Sequence, residues 1–318
     1  MNSVEYDVIV LGGGPAGEIA AAYAIAGSSR TAVIVERERL GGECSYWACI
    51  PSKALLRPGQ VLSAARALPG VRVEGLDIEA VLRRRDEFVH AHDHDHDDSS
   101  QIDWATQSGI EVIRGAGRLT EPYRVRVGDR TLRARHAVVL ATGSRAVVPD
   151  VPGLPAALPW TSRDATNLHE VPERVVLIGG GVVACEAATW LSMLGAEVTM
   201  LVRGSTLLAA AEPFAGQRVA DALTERGVDI RFGTQPVRVE RDAPAATGEG
   251  RIHGGTVTVI AQGPDGESTL TADEILVATG RRPNTDDLGL ETLGLEPDRL
   301  EVDDRLTVRG VAGDWLYA

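Results

Sequence analysis

Two nearly unbroken apolar runs, each followed at once by a cluster of glycines, set the rhythm of this chain. Residues 6–11 (Tyr-Asp-Val-Ile-Val-Leu) have the pattern of a strand buried on both faces of a parallel sheet. After Gly12-Gly13-Gly14-Pro15-Ala16-Gly17 an alanine-rich helix runs to about residue 26, and residues 31–35 form a second strand ending at Glu36. The same order returns later. Residues 175–178 are a strand, Gly179-Gly180-Gly181 the turn, residues to about 194 the helix, and 197–202 the next strand. Such a repeat of one motif predicts an α/β protein of two similar units, each on a parallel central sheet.

The intervening stretches are less regular. Residues 54–87 read as helix with a break at Pro69-Gly70-Val71, and 110–113, 123–127, 131–135 and 137–140 read as strands. Pro149, Pro152, Pro155 and Pro159 mark a connection to the second unit. A further helix and strands occupy 222–260, interrupted by a Pro/Gly/Ala-rich excursion at 242–255 that reads as an exposed hairpin loop. Glu274 and the apolar residues 275–278 lead into Thr279-Gly280-Arg281-Arg282-Pro283-Asn284, an echo of Ala141-Thr142-Gly143 after the strand at 137–140.

The glycine turns carry chemistry because of where they sit. Between a buried strand and a helix, Gly12 supplies a tight turn, Gly14 admits a pyrophosphate close to the backbone, and Gly17 lets helix and strand approach. The helix N-terminus then faces the phosphates, and Glu36 can accept a hydrogen bond from a ribose hydroxyl. Gly179, Gly181 and Ala184 occupy the corresponding places in the second unit. Glu36 lies 24 residues after Gly12, but the residue 24 after Gly179 is Arg203, preceded by Val202. An arginine there suits a 2′-phosphate and favours NADPH, with NADH the alternative, since no second arginine follows among residues 204–211.

Composition narrows the class. At 318 residues the chain can bury about two cores. A net charge of −13 argues against a nucleic-acid partner. No apolar run reaches the ~18 residues of a membrane span. The acidic N-terminus leads straight into a strand and does not read as a signal peptide, and three cysteines are too few for a secreted disulfide framework, so a cytoplasmic protein is expected. The tract His90-Ala-His92-Asp-His94-Asp-His96 places His90 with His94 and His92 with His96 at helical spacing, which can chelate a metal. A solvated, polar helix end or loop is the reading adopted, and no metal site is assigned.

Two of the three cysteines fall in Gly41-Gly42-Glu43-Cys44-Ser45-Tyr46-Trp47-Ala48-Cys49-Ile50-Pro51-Ser52-Lys53. Alone, Cys-x4-Cys fits either small buried hydrophobes or redox chemistry. The residues after Cys49 open a helix, with Pro51 in the first turn, and a helix N-terminus favours a thiolate. Of 32 basic residues, Lys53 is the one lysine, which points to a need for a compact ammonium on a flexible stem. Cys185 lies in an apolar helix and reads as core packing, whereas Glu186 beside it is a carboxylate in an apolar segment and calls for a partner, with Lys53 the natural candidate.

Gly-Gly-x-Cys-x4-Cys-Ile-Pro-Ser-Lys just after a nucleotide-binding unit resembles the flavoprotein disulfide reductases, the family of glutathione reductase, dihydrolipoamide dehydrogenase and mercuric reductase. Ala48 replaces the family's usual glycine. The resemblance implies two Rossmann-like domains, three-layered, with parallel central sheets and an added antiparallel sheet, the second inserted in the first. An FAD domain would span 1–148, an NAD(P) domain 149–279, and a return segment 280–318. It implies FAD held at Gly12, Gly14, Pro15, Ala16, Gly17, Glu36, Glu43, Cys44, Lys53, Gly117, Ala141, Thr142, Gly143, Gly280 and Arg281, and NADPH or NADH at Gly179, Gly181, Ala184 and Arg203. It further implies a Cys44–Cys49 disulfide, with Cys49 nearer the flavin and Cys44 exchanging with a small-molecule or protein disulfide substrate. Lys53 would stabilise charge on the reduced flavin and Glu186 would hold Lys53. Val182 stands where the family has a gating tyrosine. The sequence stops before the family's dimerisation domain, so a homodimer is expected only of a full-length form, and a non-catalytic dinucleotide-binding module is the alternative function.

Overall fold

The structure, a computed structural model, describes residues 4–92 and 95–318. The described residues fall into two compact units, the first from segments 1–46, 95–145 and 282–318, the second from segments 47–94 and 146–281. The second is therefore inserted in the first at two places. Residues 47–94, which the 1–148 boundary read from sequence groups with the first domain, pack with 146–281.

In the first unit, β1 (Val4–Leu11), α1 (Pro15–Ile25), β2 (Ala32–Glu36) and α2 (Gly42–Tyr46) are followed by β4 (Asp95–His96), α5 (Ser99–Gln107), β5 (Ile110–Arg114), β6 (Gly117–Glu121), β7 (Arg124–Val127) and β8 (Arg130–Leu140), with β18 (Leu316–Tyr317) at the end. The sheet order is β5-β2-β1-β8-β7-β6, and β18 also pairs with β8. Strands β5, β2, β1, β8 and β18 run parallel, whereas β7 is antiparallel to both β8 and β6. The unbroken apolar run of β1 is explained by burial on both faces: Ile9 and Leu11 enter one core cluster, Val8 and Val10 the other.

Strand β8 corrects the reading of two strands at 131–135 and 137–140. It is one strand whose first half pairs with β7 and whose second half pairs with β18. A register shift against β1, between Tyr6 and Val8, produces the local break that looks like a turn in the sequence. Strand β6 has no clear apolar alternation and is found only through its partner.

In the second unit, α3 (Cys49–Arg66), α4 (Ile78–Phe88) and β3 (Ala91–His92) precede α6 (Ser162–Thr166), β10 (Arg174–Ile178), α7 (Val182–Met193), β11 (Glu197–Val202), α8 (Pro213–Glu225) and β12 (Asp229–Phe232). Then come β13 (Gln235–Arg241), β14 (Val257–Gly263), β15 (Gly266–Ala272) and β16 (Glu274–Val277). Short strands β9 (Ser144–Ala146) and β17 (Arg281–Pro283) lie where the chain passes from one unit to the other. The parallel sheet β12-β11-β10-β16 is accompanied by an antiparallel sheet β13-β14-β15. Along β10, Val175 and Leu177 face one core and Val176 and Ile178 the other. The helix break expected near residue 70 falls between α3 and α4.

The described residues of the histidine tract are not helical. His92 and His96 lie in two-residue strands, so the i,i+4 spacing does not describe a shared face, and His94 lies outside the described residues. His96 is buried, with its ring centroid 5.3 Å from that of Tyr46. Among the described residues no group of three or more His, Cys, Asp or Glu side chains is placed to hold a metal, and no helix is long and apolar enough to cross a membrane.

Candidate active site

The first glycine turn is shaped by backbone contacts that leave no room for side chains. Gly12 has φ +103°, and a Cβ on it would lie 2.2 Å from the Ala141 carbonyl oxygen. Gly14 caps α1 with no side-chain hydrogen bond, and Pro15 follows at the first helical position, so the first-turn N–H groups of α1 have no side-chain cap. The Gly41 N–H donates to the Gly13 carbonyl at 2.7 Å. A Cβ on Gly42 (φ +58°) would come within 2.8 Å of the Gly14 Cα. Gly41 and Gly42 thus set α2, with Glu43 and Cys44, against the turn.

Glu36 ends β2 almost wholly buried, and its placement is more specific than the spacing implies. Its Oε2 accepts from the Gly13 N–H at 2.6 Å and its Oε1 from the Glu38 N–H at 2.7 Å. The carboxylate fixes the turn and retains lone pairs for another donor. Gly117 lies over the ends of β1 and β2, where a Cβ would meet Leu11 at 2.7 Å and Val35 at 3.1 Å. Thr142 and Gly143 are locked by Asn284, whose side-chain amide donates to the Thr142 carbonyl at 3.0 Å and whose N–H donates to the Gly143 carbonyl at 2.9 Å. Arg145 in turn donates to Asn284 Oδ1 at 2.9 Å. Sequence reasoning did not single out Glu18. It sits in the first turn of α1 with Oε1 buried and without a hydrogen-bond partner among the described residues, and burial pushes its carboxyl pKa up.

The second unit repeats the device. Gly179 has φ +137°, and a Cβ there would lie 2.3 Å from the Ala278 carbonyl oxygen, the counterpart of Gly12 against Ala141. Gly181 caps α7 without a side-chain bond, and Ala184 is fully buried behind it. A cavity of about 680 Å³ opens at the C-terminal ends of β10, β11 and β16, lined by Gly179–Gly181, Val182, Arg203, Gly204, Gly280 and Arg281 among others. That is where a doubly wound sheet takes a dinucleotide. Val182 is exposed at the first turn of α7, and Arg203, exposed, is the residue directly after β11. Arg281, read from sequence as approaching a flavin, donates to Ser162 Oγ at 3.1 Å within this unit.

Helices α3 and α7 bring the lysine and the glutamate together. The Lys53 Nζ donates to Glu186 Oε1 at 2.7 Å and to Ser52 Oγ at 3.2 Å. A Cβ on Gly59 would lie 2.1 Å from Met193 Sδ, so the helices approach closely one to two turns further on, running in the same direction. With Lys53 62% and Glu186 28% exposed, this pair is worth at most about 1 kcal/mol to stability. Its value lies in where it holds an ammonium. Cys49, exposed, is the first residue of α3, and Cys44 is half-buried on α2 of the first unit. Cys185 is buried, and burial pushes its thiol up to about 11, which suits packing and not reactivity.

Two glycine-turn folds of the dinucleotide-binding kind, one inserted in the other, and a Cys-x4-Cys segment at a helix start make up this chain. Residues 6–316 match the pyridine nucleotide-disulphide oxidoreductase family, and the chain belongs to it. It is similar to a mercuric reductase from Streptomyces lividans (34% identity over 301 residues, 92% of this chain and 60% of that protein). It is also similar to dihydrolipoyl dehydrogenase 3 from Pseudomonas aeruginosa (35% over 309 residues, 92% and 62%). Among solved structures, the HOCl-induced flavoprotein disulfide reductase RclA from Escherichia coli superposes with a TM-score of 0.79 at 24% identity, over 98% of this chain and 65% of that one. The chain spans 45–60% of the length of the mercuric reductases it matches. Members of the family are flavoproteins that use a pyridine nucleotide.

Proposed function

We propose that this chain carries the FAD and NAD(P)H sites and the redox-active Cys44–Cys49 pair of a cytoplasmic disulfide oxidoreductase. The net reaction takes a hydride from the nicotinamide and a proton from solvent, and reduces one acceptor disulfide to two thiols. FAD, when bound, supplies the two-electron relay between nicotinamide and sulfur. The observation that carries the reading is the Lys53–Glu186 pair, an ammonium fixed one turn into the helix that Cys49 opens.

The residues present fit a flavin dinucleotide. The close approach of Gly42 to Gly14 keeps side chains away from the pyrophosphate position, α1 presents uncapped N–H groups there, and Glu36 is poised for a ribose hydroxyl. Lys53 would offset negative charge on the ring system, with Glu186 orienting it. In the second unit, Arg203 on the cavity wall supports NADPH over NADH. Cys44 would exchange with the acceptor through a mixed disulfide, freeing one acceptor thiol, and Cys49 would then displace the second as the Cys44–Cys49 disulfide forms. The similar proteins are named for different substrates, mercuric ion and dihydrolipoyl groups.

The test is anaerobic titration of the flavin-loaded protein with NADPH, followed by absorbance. A long-wavelength thiolate-to-flavin charge-transfer band, abolished in Cys49→Ser, is the expected result. A chain that takes up no flavin, or one whose cysteines stay unreduced, would overturn the proposal in favour of a non-catalytic dinucleotide-binding module.

A further inference from the structure

We propose that Glu249, on the loop between β13 and β14, is a positioning residue for the Cys49 thiol and acts through Trp47. The proposal rests on the reading of Cys49 as a redox thiol. Trp47 stands two residues before Cys49, and Ala48 between them caps α3. The indole is 5% exposed and held from three directions. Its Nε1–H donates to Glu249 Oε1 at 2.8 Å, the Arg163 guanidinium covers its ring at 4.0 Å, and its backbone carbonyl accepts from Thr166 Oγ1 at 2.9 Å.

Each of these holders is itself anchored. Arg163 and Thr166 lie on α6, whose N-terminus carries a Thr161–Asp164 capping box. Fully buried Arg85 of α4 donates to the carbonyls of Thr166 and, at 2.8 Å, Leu168. Glu249 Oε1 also accepts from Asn167 Nδ2 at 2.9 Å. Around it, the Gly250 N–H donates to Asp164 Oδ1 at 3.1 Å, the Gly250 carbonyl accepts from the His169 N–H at 2.9 Å, and the Arg251 carbonyl accepts from Trp160 Nε1 at 2.9 Å. The 242–255 stretch, expected to be an exposed hairpin loop, is therefore docked from residue 249 onward.

A hairpin connection does not need a carboxylate pinned to two donors. Glu249 is exposed as a residue, but its carboxylate reaches the Trp47 and Asn167 N–H groups near Asp164, and the partial loss of water around it raises its pKa. What the arrangement accomplishes is to fix the backbone of residues 47–48, and with it the angle at which Cys49 enters the first turn of α3. The field of the helix N-terminus acts only within that turn, so a frayed start would change the surroundings in which the Cys49 sulfur reacts.

The experiment uses the full chain carrying Cys44→Ser and Cys185→Ser, so that Cys49 is its single thiol, and measures the rate of iodoacetamide alkylation at pH 7. Glu249→Leu should slow alkylation about fivefold, the size of a lost helix-terminus interaction. Glu249→Gln, which keeps an acceptor for the indole N–H, should stay within about twofold of the parent on the same scale. Trp47→Phe, which keeps a ring under Arg163 but removes the N–H, gives an independent arm and should slow alkylation as well. A parent-like rate in folded Trp47→Phe and Glu249→Leu, or a fall in thermal midpoint without a change in rate, would overturn the proposal. Alkylation requires neither flavin nor turnover, so its failure leaves the redox reading standing, whereas an absent charge-transfer band in the wild type removes that reading whatever the alkylation rates.

Discussion

Replacing Glu274 by alanine would remove the centre of a fully buried charge cluster. Glu274 and Arg241 each have side chains with 0% exposure. The Glu274 carboxylate accepts from both Arg241 terminal nitrogens, one of them at 3.2 Å, from the Ile275 N–H at 3.0 Å and from the His253 N–H at 3.1 Å. Truncation strands a guanidinium in the core, and its Nε already lacks a partner among the described residues. Leaving one member of such a pair uncompensated costs about 3–5 kcal/mol, against a typical total of about 5–15 kcal/mol. For a unit of about 180 residues, at about 2–4 °C per kcal/mol, the thermal midpoint should fall by about 6–20 °C. Differential scanning calorimetry of wild type, Glu274→Ala and the double variant Arg241→Met/Glu274→Leu provides the assay. The double variant should recover most of the loss, because an apolar pair of similar volume removes the stranded charge. A fall below about 3 °C in Glu274→Ala, or a double variant worse than the single, would refute the reasoning.

Other consequences concern chemistry and pH. Lys53→Met should change stability by no more than about 1 kcal/mol, because the pair with Glu186 is partly exposed, yet lower turnover at least tenfold; a loss of turnover accounted for by lost stability would contradict an electrostatic role for the ammonium. Arg203→Ala should raise KM for NADPH about tenfold or more and leave KM for NADH nearly unchanged, the signature of a lost charge-assisted phosphate contact. Arg174 bonds Asp273 and holds its carboxyl below the usual range. Its contribution is thus present above the unfolded value of about 3.9 and is lost as pH falls through the lower folded value. Asp273→Asn should flatten that part of an acid-denaturation curve, and an unchanged curve would count against the bond. Changing His90, His92 and His94 to glutamine should leave flavin content intact, whereas His96→Ala, which removes a ring packed on Tyr46, should lower the thermal midpoint.

The local order of this protein is written in its sequence wherever short-range rules suffice. Apolar runs buried on both faces, glycines at sharp strand-to-helix turns and a proline just inside α1 gave β1, α1, β2 and their repeats at β10, α7 and β11, and the Lys53–Glu186 pairing was legible from a motif and a carboxylate in an apolar helix. Tertiary structure decided what depends on partners far along the chain. Strand β8 is continuous because β7 and β18 share its edge. Residues 47–94 pack with the second unit because α3 fits against α7 at Gly59. The loop at 242–255 reads as solvent-facing by composition, yet its Gly250 and His253 are buried, held by Asp164 and Glu274, and its exposed Glu249 reaches Trp47. No local pattern encodes such bonds, since a buried hydrogen bond is worth making only once the fold has excluded water from both of its ends.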